Sequence, residues 1–156
     1  KDELVKHIIE LDKKYKTVEE FHHFLLSNDS KSTVKKYKEV IENEFYPKRG
    51  EPKMRLSVAR NAIGEAKKLG LDALSLADLM LFYVETGVRF TNDYGDIDEA
   101  FYNSMESMYL KALKFMHKER MLELYRTRAE SILNNTRNIG WGFHDTLGDY
   151  FYEFYD

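Results

Sequence analysis

The sequence predicts an all-α protein, and three observations support that prediction. Apolar residues recur with the spacing of helix faces along most of the 156 residues. No segment alternates apolar and polar residues over a useful length, so strands are not indicated. Breaks between the helical segments are short, which favours antiparallel neighbours. We expect one domain over residues 1–156, with about eight helices in an irregular bundle or in stacked antiparallel helical hairpins.

The central element is a helical hairpin from Ser75 to Met116. Residues Leu76 to Phe90 are apolar on nearly every face, which predicts a helix inside the fold. Ser75, followed by Asp78 three residues later, fits an N-cap with an acidic residue in the first turn. Gly95 is suited to end this helix in the left-handed conformation, because glycine reaches positive φ angles without a Cβ penalty.

Four helices are predicted before the hairpin. The first follows from an apolar face at helical spacing, and the second from a Thr17 cap with Glu20 in the first turn. The third ends before Pro47, because a residue that precedes proline is disfavoured in the helical region. The fourth has a face of small residues and ends at Gly70. In chain order the segments are the face from Leu4 to Tyr15, a helix from Thr17 that stops at Ser27 to Asp29, Ser30 or Ser32 to Phe45, and Leu56 to Leu69.

Three helices are predicted from the hairpin corner onward. Asp96 with Glu99 repeats the capping pattern for the first of them. Its apolar stripe goes out of phase at His117 to Arg120, which predicts a bend or a short connection. The next helix ends near Arg137, and the last runs from about Phe143 to Tyr155. Because the last helix is crowded with aromatic residues, it is a candidate surface for homo-oligomerisation.

Composition limits the function classes. The chain is 43% hydrophobic and 33% charged, with a formal net charge of −3, which is typical of a globular protein and argues against a dedicated nucleic-acid binder. The longest apolar run, Leu79 to Val84, is far too short to span a membrane. The absence of cysteine excludes disulfides, thiolate metal sites and a cysteine nucleophile. We expect a cytoplasmic protein with no nucleic-acid and no membrane partner.

The first helix of the hairpin carries one charged stripe. Glu85, Arg89 and Asp93 follow at intervals of four and alternate in sign, and the stripe leads into an acidic corner that contains Asp96. The favoured interpretation is a solvated face with ordinary helix caps. The alternative is a polar groove that binds an ion, a ligand or the basic side chain of a partner. These four residues are therefore candidate binding residues.

Trp141 is the single tryptophan and lies between Gly140 and Gly142. The favoured interpretation is a core plug whose indole N–H donates to a carbonyl. The alternative is a half-exposed aromatic platform beside His144. Trp141 and His144 complete the set of candidate residues for ligand or partner binding.

Motifs that would bind a metal or carry catalysis are incomplete. Glu19 to His23 contains Glu-x-x-His, but a di-metal bundle needs a second such motif and two further glutamates. The acidic corner does not match the residue order of a calcium-binding loop. If Gly95 is the sixth residue of such a loop, the first ligand would be Phe90, which cannot coordinate an ion. Neither a nucleophile elbow nor a phosphate-binding glycine loop is present. We expect no bound metal and no cofactor.

Two functions follow as hypotheses. The leading one is a non-enzymatic helical module that binds a protein partner or a small ligand. The alternative is a small enzyme, and its catalytic residues would have to converge in one pocket. That polar centre would consist of Glu85, Arg89, Asp93, Asp96 and His144.

Four stretches of the sequence resemble an uncharacterised bacterial family of small all-helical proteins, catalogued only as a domain of unknown function. They are Leu79 to Glu85, Thr91 to Asp96, Phe101 to Met105 and Asn138 to His144. The resemblance covers most of the chain and implies a bacterial, single-domain helical protein. It implies no activity and no catalytic residue.

Overall fold

A computed structural model describes residues 2–14 and 30–156. These residues form seven α-helices and no strand, which confirms the all-α class. In chain order the helices are α1 (Asp2–Lys14), α2 (Ser30–Phe45), α3 (Leu56–Leu69), α4 (Ala73–Tyr94), α5 (Glu99–Lys118), α6 (Leu122–Asn134) and α7 (Phe143–Phe154). The helix predicted to start at Thr17 and to stop at Ser27 to Asp29, and the Glu-x-x-His motif within it, lie outside the described residues.

Helix α4 lies at the centre of the arrangement and contacts α2, α3, α5 and α6. Helix α5 in turn packs against α6 and α7, and α6 against α7. The predicted interior position of α4 is confirmed, because side chains on several of its faces are buried, among them Leu76, Ala77, Leu79, Leu81, Tyr83, Val84, Val88 and Phe90. Within the described part of the chain, no helix is both long and apolar enough to cross a membrane.

The caps of the central hairpin differ from the predicted ones. Asp72, and not Ser75, caps α4, since its carboxylate accepts a hydrogen bond from the Ser75 N–H at 2.8 Å. Asp98, and not Asp96, caps α5 by accepting from the Phe101 N–H at 2.8 Å. Several hydroxyl and carboxylate side chains compete within one turn at both places, and the sequence pattern does not rank them.

Two breaks fall where the sequence places them. Gly95 ends α4 with a φ of 91° and a ψ of −167°, so its positive φ is as predicted but the backbone is extended rather than left-handed helical. The connection between α5 and α6, residues 119–121, overlaps the predicted bend at His117 to Arg120, and Arg120 there has a φ of 58°. This positive φ turns the chain without help from glycine or proline.

A buried carboxylate fixes the loop between α2 and α3. Glu44 is only 2% exposed and accepts hydrogen bonds from Arg55 Nη2 at 2.7 Å, from Arg55 Nε at 3.1 Å and from the Arg55 backbone N–H at 3.0 Å. Because Arg55 directly precedes α3, the negative charge also lies at the N-terminus of that helix, which has no side-chain cap of its own. The hydrogen bond from the Arg55 side chain lowers the pKa of Glu44 and outweighs the opposite effect of burial.

We expect Glu44→Gln to lower the free energy of unfolding by about 1–3 kcal/mol, because it removes charge-assisted hydrogen bonds from a buried site. The lowered pKa means that the wild-type carboxylate stabilises the fold above its ordinary pKa of about 4 and loses this effect as the pH falls. Urea unfolding between pH 3 and pH 7 measures both effects. Glu51→Gln, at an exposed position of the same loop, is the control, and an equal loss in both variants would contradict this role.

Candidate functional site

A groove of about 770 Å³ lies between α4 and α6 and opens to solvent. Its apolar part includes Phe82 and Val88 from α4 and Leu124 and Ile132 from α6. The charged stripe of α4 borders it, so that predicted candidates Glu85, Arg89 and Asp93 line one groove. Its remaining lining residues are Thr86, Asn92, Tyr125, Thr127, Arg128, Ser131 and Asn135. Three of the candidate residues thus lie along one groove, and two of them, Arg89 and Asp93, are exposed to solvent.

Arg128 of α6 joins the two walls of the groove. Its Nε donates to Glu85 Oε1 and its Nη1 donates to Asp78 Oδ1 at 2.7 Å. The second carboxylate oxygen of Asp78 pairs with Lys38 Nζ of α2 at 2.8 Å. Burial alone would raise the pKa of Asp78, but the hydrogen bonds from Lys38 and Arg128 outweigh it and lower the pKa. Asp78 is therefore charged at neutral pH and links α2, α4 and α6.

Arg89 and Asp93 form the second polar cluster, on the side of α4 that faces α2. Arg89 Nη2 donates to Glu42 Oε1 at 2.7 Å, and its guanidinium lies 4.3 Å from the centre of the Tyr46 ring. The Tyr46 hydroxyl donates to Asp93 Oδ2 at 2.5 Å. Burial, together with the hydrogen bond to the Asp93 carboxylate, raises the pKa of Tyr46 to about 12. All three candidate residues of the stripe thus have partners, on α2 for Arg89, on α6 for Glu85 and directly after α2 for Asp93.

The acidic corner is separate from these ion pairs. Asp96 is exposed, and no ion pair to it is found among the described residues. It is not among the residues that line the groove. The described residues also contain no group of three His, Asp or Glu side chains that could hold a metal ion.

Trp141 is not the core plug that the sequence analysis favours, because 56% of its surface is exposed. Its indole stacks on the ring of Tyr102, with 5.9 Å between centroids and an interplanar angle of 26°. Its backbone has a φ of 65°, which is rare for a bulky residue. Since Tyr102 and its other ring neighbour Phe143 already fill the core at this point, the indole is left outside as a platform.

His144 lies at the start of α7 with its ring orientation fixed. The Thr136 hydroxyl donates its only proton to the Leu133 carbonyl at 2.6 Å. It must therefore accept the hydrogen bond of 2.7 Å that joins it to His144 Nδ1. Nδ1 carries a proton, and in the neutral ring Nε2 is the acceptor. His144 is not among the groove-lining residues, so the structure brings together only part of the candidate set.

Sequence reasoning missed Arg128, the residue that joins the groove walls, and also Glu42 and Tyr46. Each pairs with a residue more than forty positions away in the chain. Arg128 and Glu85 are 43 residues apart, and the pairs Glu42–Arg89 and Tyr46–Asp93 are each 47 residues apart. Spacing within a helix carries no information about such partners. The one available signal was the presence of a charged stripe on an otherwise buried helix, which requires opposite charges on the helices that cover it.

Fold and groove together define the class: an all-helical protein with an ion-paired groove between two helices of its bundle. Residues 1–155 match the family of unknown function DUF6155, and the chain belongs to this family. The resemblance to a family catalogued only as a domain of unknown function is thereby confirmed. Comparison with curated proteins and with solved structures gave no match.

We expect Arg128→Met to lower the free energy of unfolding by about 1–3 kcal/mol, because Glu85 loses its partner and Asp78 keeps only Lys38. Equilibrium urea unfolding measures the loss. Arg126→Met on the same helix is the control, since its pair with Glu123 is exposed and 3.6 Å long, and a loss below about 1 kcal/mol is expected. Equal losses would show that the groove ion pairs add nothing to stability.

We expect Tyr46→Phe to weaken the alkaline dependence of stability. The raised pKa keeps Tyr46 protonated in the folded protein while the unfolded chain ionises near pH 10, so stability is lost as the pH rises from about 10 to about 12. At neutral pH the variant lacks the hydrogen bond to Asp93, so its free energy of unfolding should be about 0.5–1.5 kcal/mol lower than that of the wild type. Above pH 10 the free energy of unfolding should decrease less steeply in the variant than in the wild type. Urea unfolding from pH 7 to pH 11 tests this, and Tyr152→Phe, at a residue 65% exposed, should match the wild type throughout.

Proposed function

We propose that this protein is a non-enzymatic helical module that binds an amphipathic segment of a protein partner in the groove between α4 and α6. The observation that carries the proposal is the open groove itself, in which apolar side chains lie beside arginines and carboxylates fixed by ion pairs. A groove between two helices is a common receptor for an amphipathic helix.

The shape of the groove favours a polypeptide over a small ligand. Small-molecule sites enclose most of their ligand, typically about 70–90% of its surface. This groove is open, and Leu124 at its rim is 68% exposed, so it would leave a compact ligand largely in water. An amphipathic helix would instead cover the apolar strip and keep its own polar face in solvent.

The charges of the groove favour a partner that carries both signs. Two arginines, Arg89 and Arg128, and two carboxylates, Glu85 and Asp93, line it, and their formal charges cancel. Ion pairs of Glu85, Arg89 and Arg128, and the hydrogen bond from Tyr46 to Asp93, restrict the rotamers of these side chains, so less conformational entropy is lost on binding. The proposed partner segment therefore has an apolar face with flanking acidic and basic residues.

The alternative of a small enzyme has less support. Its polar centre requires His144 beside Glu85, Arg89, Asp93 and Asp96. Three of these residues line the groove, whereas His144 bonds to Thr136 and lies outside the lining set. The binding module needs no such convergence, and we prefer it for that reason.

The remaining expectations belong to the same proposal. We infer a bacterial, cytoplasmic protein without a nucleic-acid or membrane partner and without a cofactor. Homo-oligomerisation through α7 has little support, because the aromatic face of that helix packs inward. Its buried residues are Phe143, Leu147 and Phe151, with Tyr155 beyond its end.

The test is a selection of random peptides on the immobilised protein, followed by NMR mapping of the best binders. We expect peptides with apolar residues at helical spacing to bind and to shift the amide signals of Leu124 and its groove neighbours. Leu124→Arg should weaken their binding at least about tenfold, because it places a charge on the apolar strip. Leu74→Arg, at a leucine 48% exposed outside the lining set, is the matched control. Binders that are insensitive to Leu124, or no binders at all, would refute the proposal.

A further inference from the structure

The exposed indole of Trp141 is an aromatic surface that lies outside the groove lining. The ring stacks on Tyr102 with one face, at an interplanar angle of 26°, and 56% of the residue is exposed. Its backbone φ of 65° is followed by Gly142 with a φ of 67°. Two consecutive positive φ angles thus occur where a tryptophan lies largely on the surface.

Hydrogen bonds connect Tyr102, on which the indole stacks, to the backbone of the acidic corner. The Tyr102 hydroxyl accepts from the Ile97 N–H at 3.2 Å and bonds to Thr91 Oγ1 at 2.7 Å. Thr91 Oγ1 itself donates to the Gly95 carbonyl at 3.1 Å, so the Tyr102 hydroxyl must donate to Thr91. Tyr102 therefore supports both the indole through its ring and the 95–97 backbone through its hydroxyl.

The corner to which Tyr102 is hydrogen-bonded carries negative charge. Asp96, Asp98 and Glu99 follow within four residues, and all three are exposed. Asp98 caps α5, whereas Asp96 and Glu99 have no ion pair among the described residues. The basic residue nearest in sequence to the indole, Arg137, donates to Asn134 Oδ1 at 3.0 Å.

We infer that Trp141, with Asp96 and Glu99, forms a second interaction surface, and that its occupant is a basic segment of a protein partner. An arginine or lysine of that segment stacks on the free face of the indole, while the two carboxylates attract its charge. Tryptophan is the strongest cation–π acceptor among the side chains, and exposed tryptophans are frequent anchors of protein interfaces. The charge complementarity selects a basic partner over an acidic or purely apolar one. This surface is independent of the groove, whose lining contains none of these three residues.

The single tryptophan gives a direct measurement. The probe is the peptide (Gly-Arg)4, with (Gly-Glu)4 as its acidic counterpart, and binding is followed by Trp141 fluorescence and by the NMR signal of the indole N–H. We expect a saturable change with (Gly-Arg)4, weakened by salt, and no change with (Gly-Glu)4.

Variants distinguish binding of the basic peptide at this surface from its general electrostatic attraction to an acidic protein. Trp141→Ala and the double variant Asp96→Asn, Glu99→Gln should each weaken (Gly-Arg)4 binding about three- to fivefold by calorimetry. The control pair Glu51→Gln, Glu65→Gln, at exposed positions elsewhere, changes the net charge equally and should leave the affinity unchanged. Circular dichroism confirms that each variant is folded, and Trp141→Phe, which keeps an aromatic face, should bind better than Trp141→Ala. No binding at millimolar peptide, or equal losses in the control pair, would overturn the inference.

Discussion

The burial of α4 is the constraint on which the rest of the structure depends. A helix covered by four others has few positions left for charged residues, yet α4 carries the partly buried carboxylates Asp78 and Glu85. Charged groups near a core are tolerated only when they are paired and hydrogen-bonded. The helices beside these two carboxylates must therefore supply opposite charges. Lys38 of α2 and Arg128 of α6 do so.

These pairs explain why the bundle has a groove on this side. Helices that meet through small apolar side chains approach closely, as α4 does to α5, where Met105 packs against Gly87. Helices α4 and α6 approach each other less closely, and the long side chains of Arg128 and Glu85 join them. The space between them remains open as the groove. The polar stripe and the groove are thus two consequences of one arrangement.

Much of the fold was predictable because its signals are local. The helical segments, the break after Met116 and the positive φ of Gly95 each follow from residues within one or two turns of one another. The candidate site was predictable only in part. Glu85, Arg89 and Asp93 were recognised as one face of a helix, but their partners depend on how α2 and α6 are placed beside α4. A single sequence contains no measure of that placement.

The exposure of Trp141 is a second feature that the local sequence could not predict. Hydrophobicity alone favours burial of a tryptophan, and local sequence offered no reason against it. The bonds around it decide the outcome: His144 donates to Thr136, Thr136 donates to Leu133, and Phe143 is fully buried beside Tyr102. Both ends of the short segment that carries the indole are thereby fixed to the core. Trp141 is therefore held on the surface by its neighbours, and its exposure is a property of the fold rather than of a loose loop.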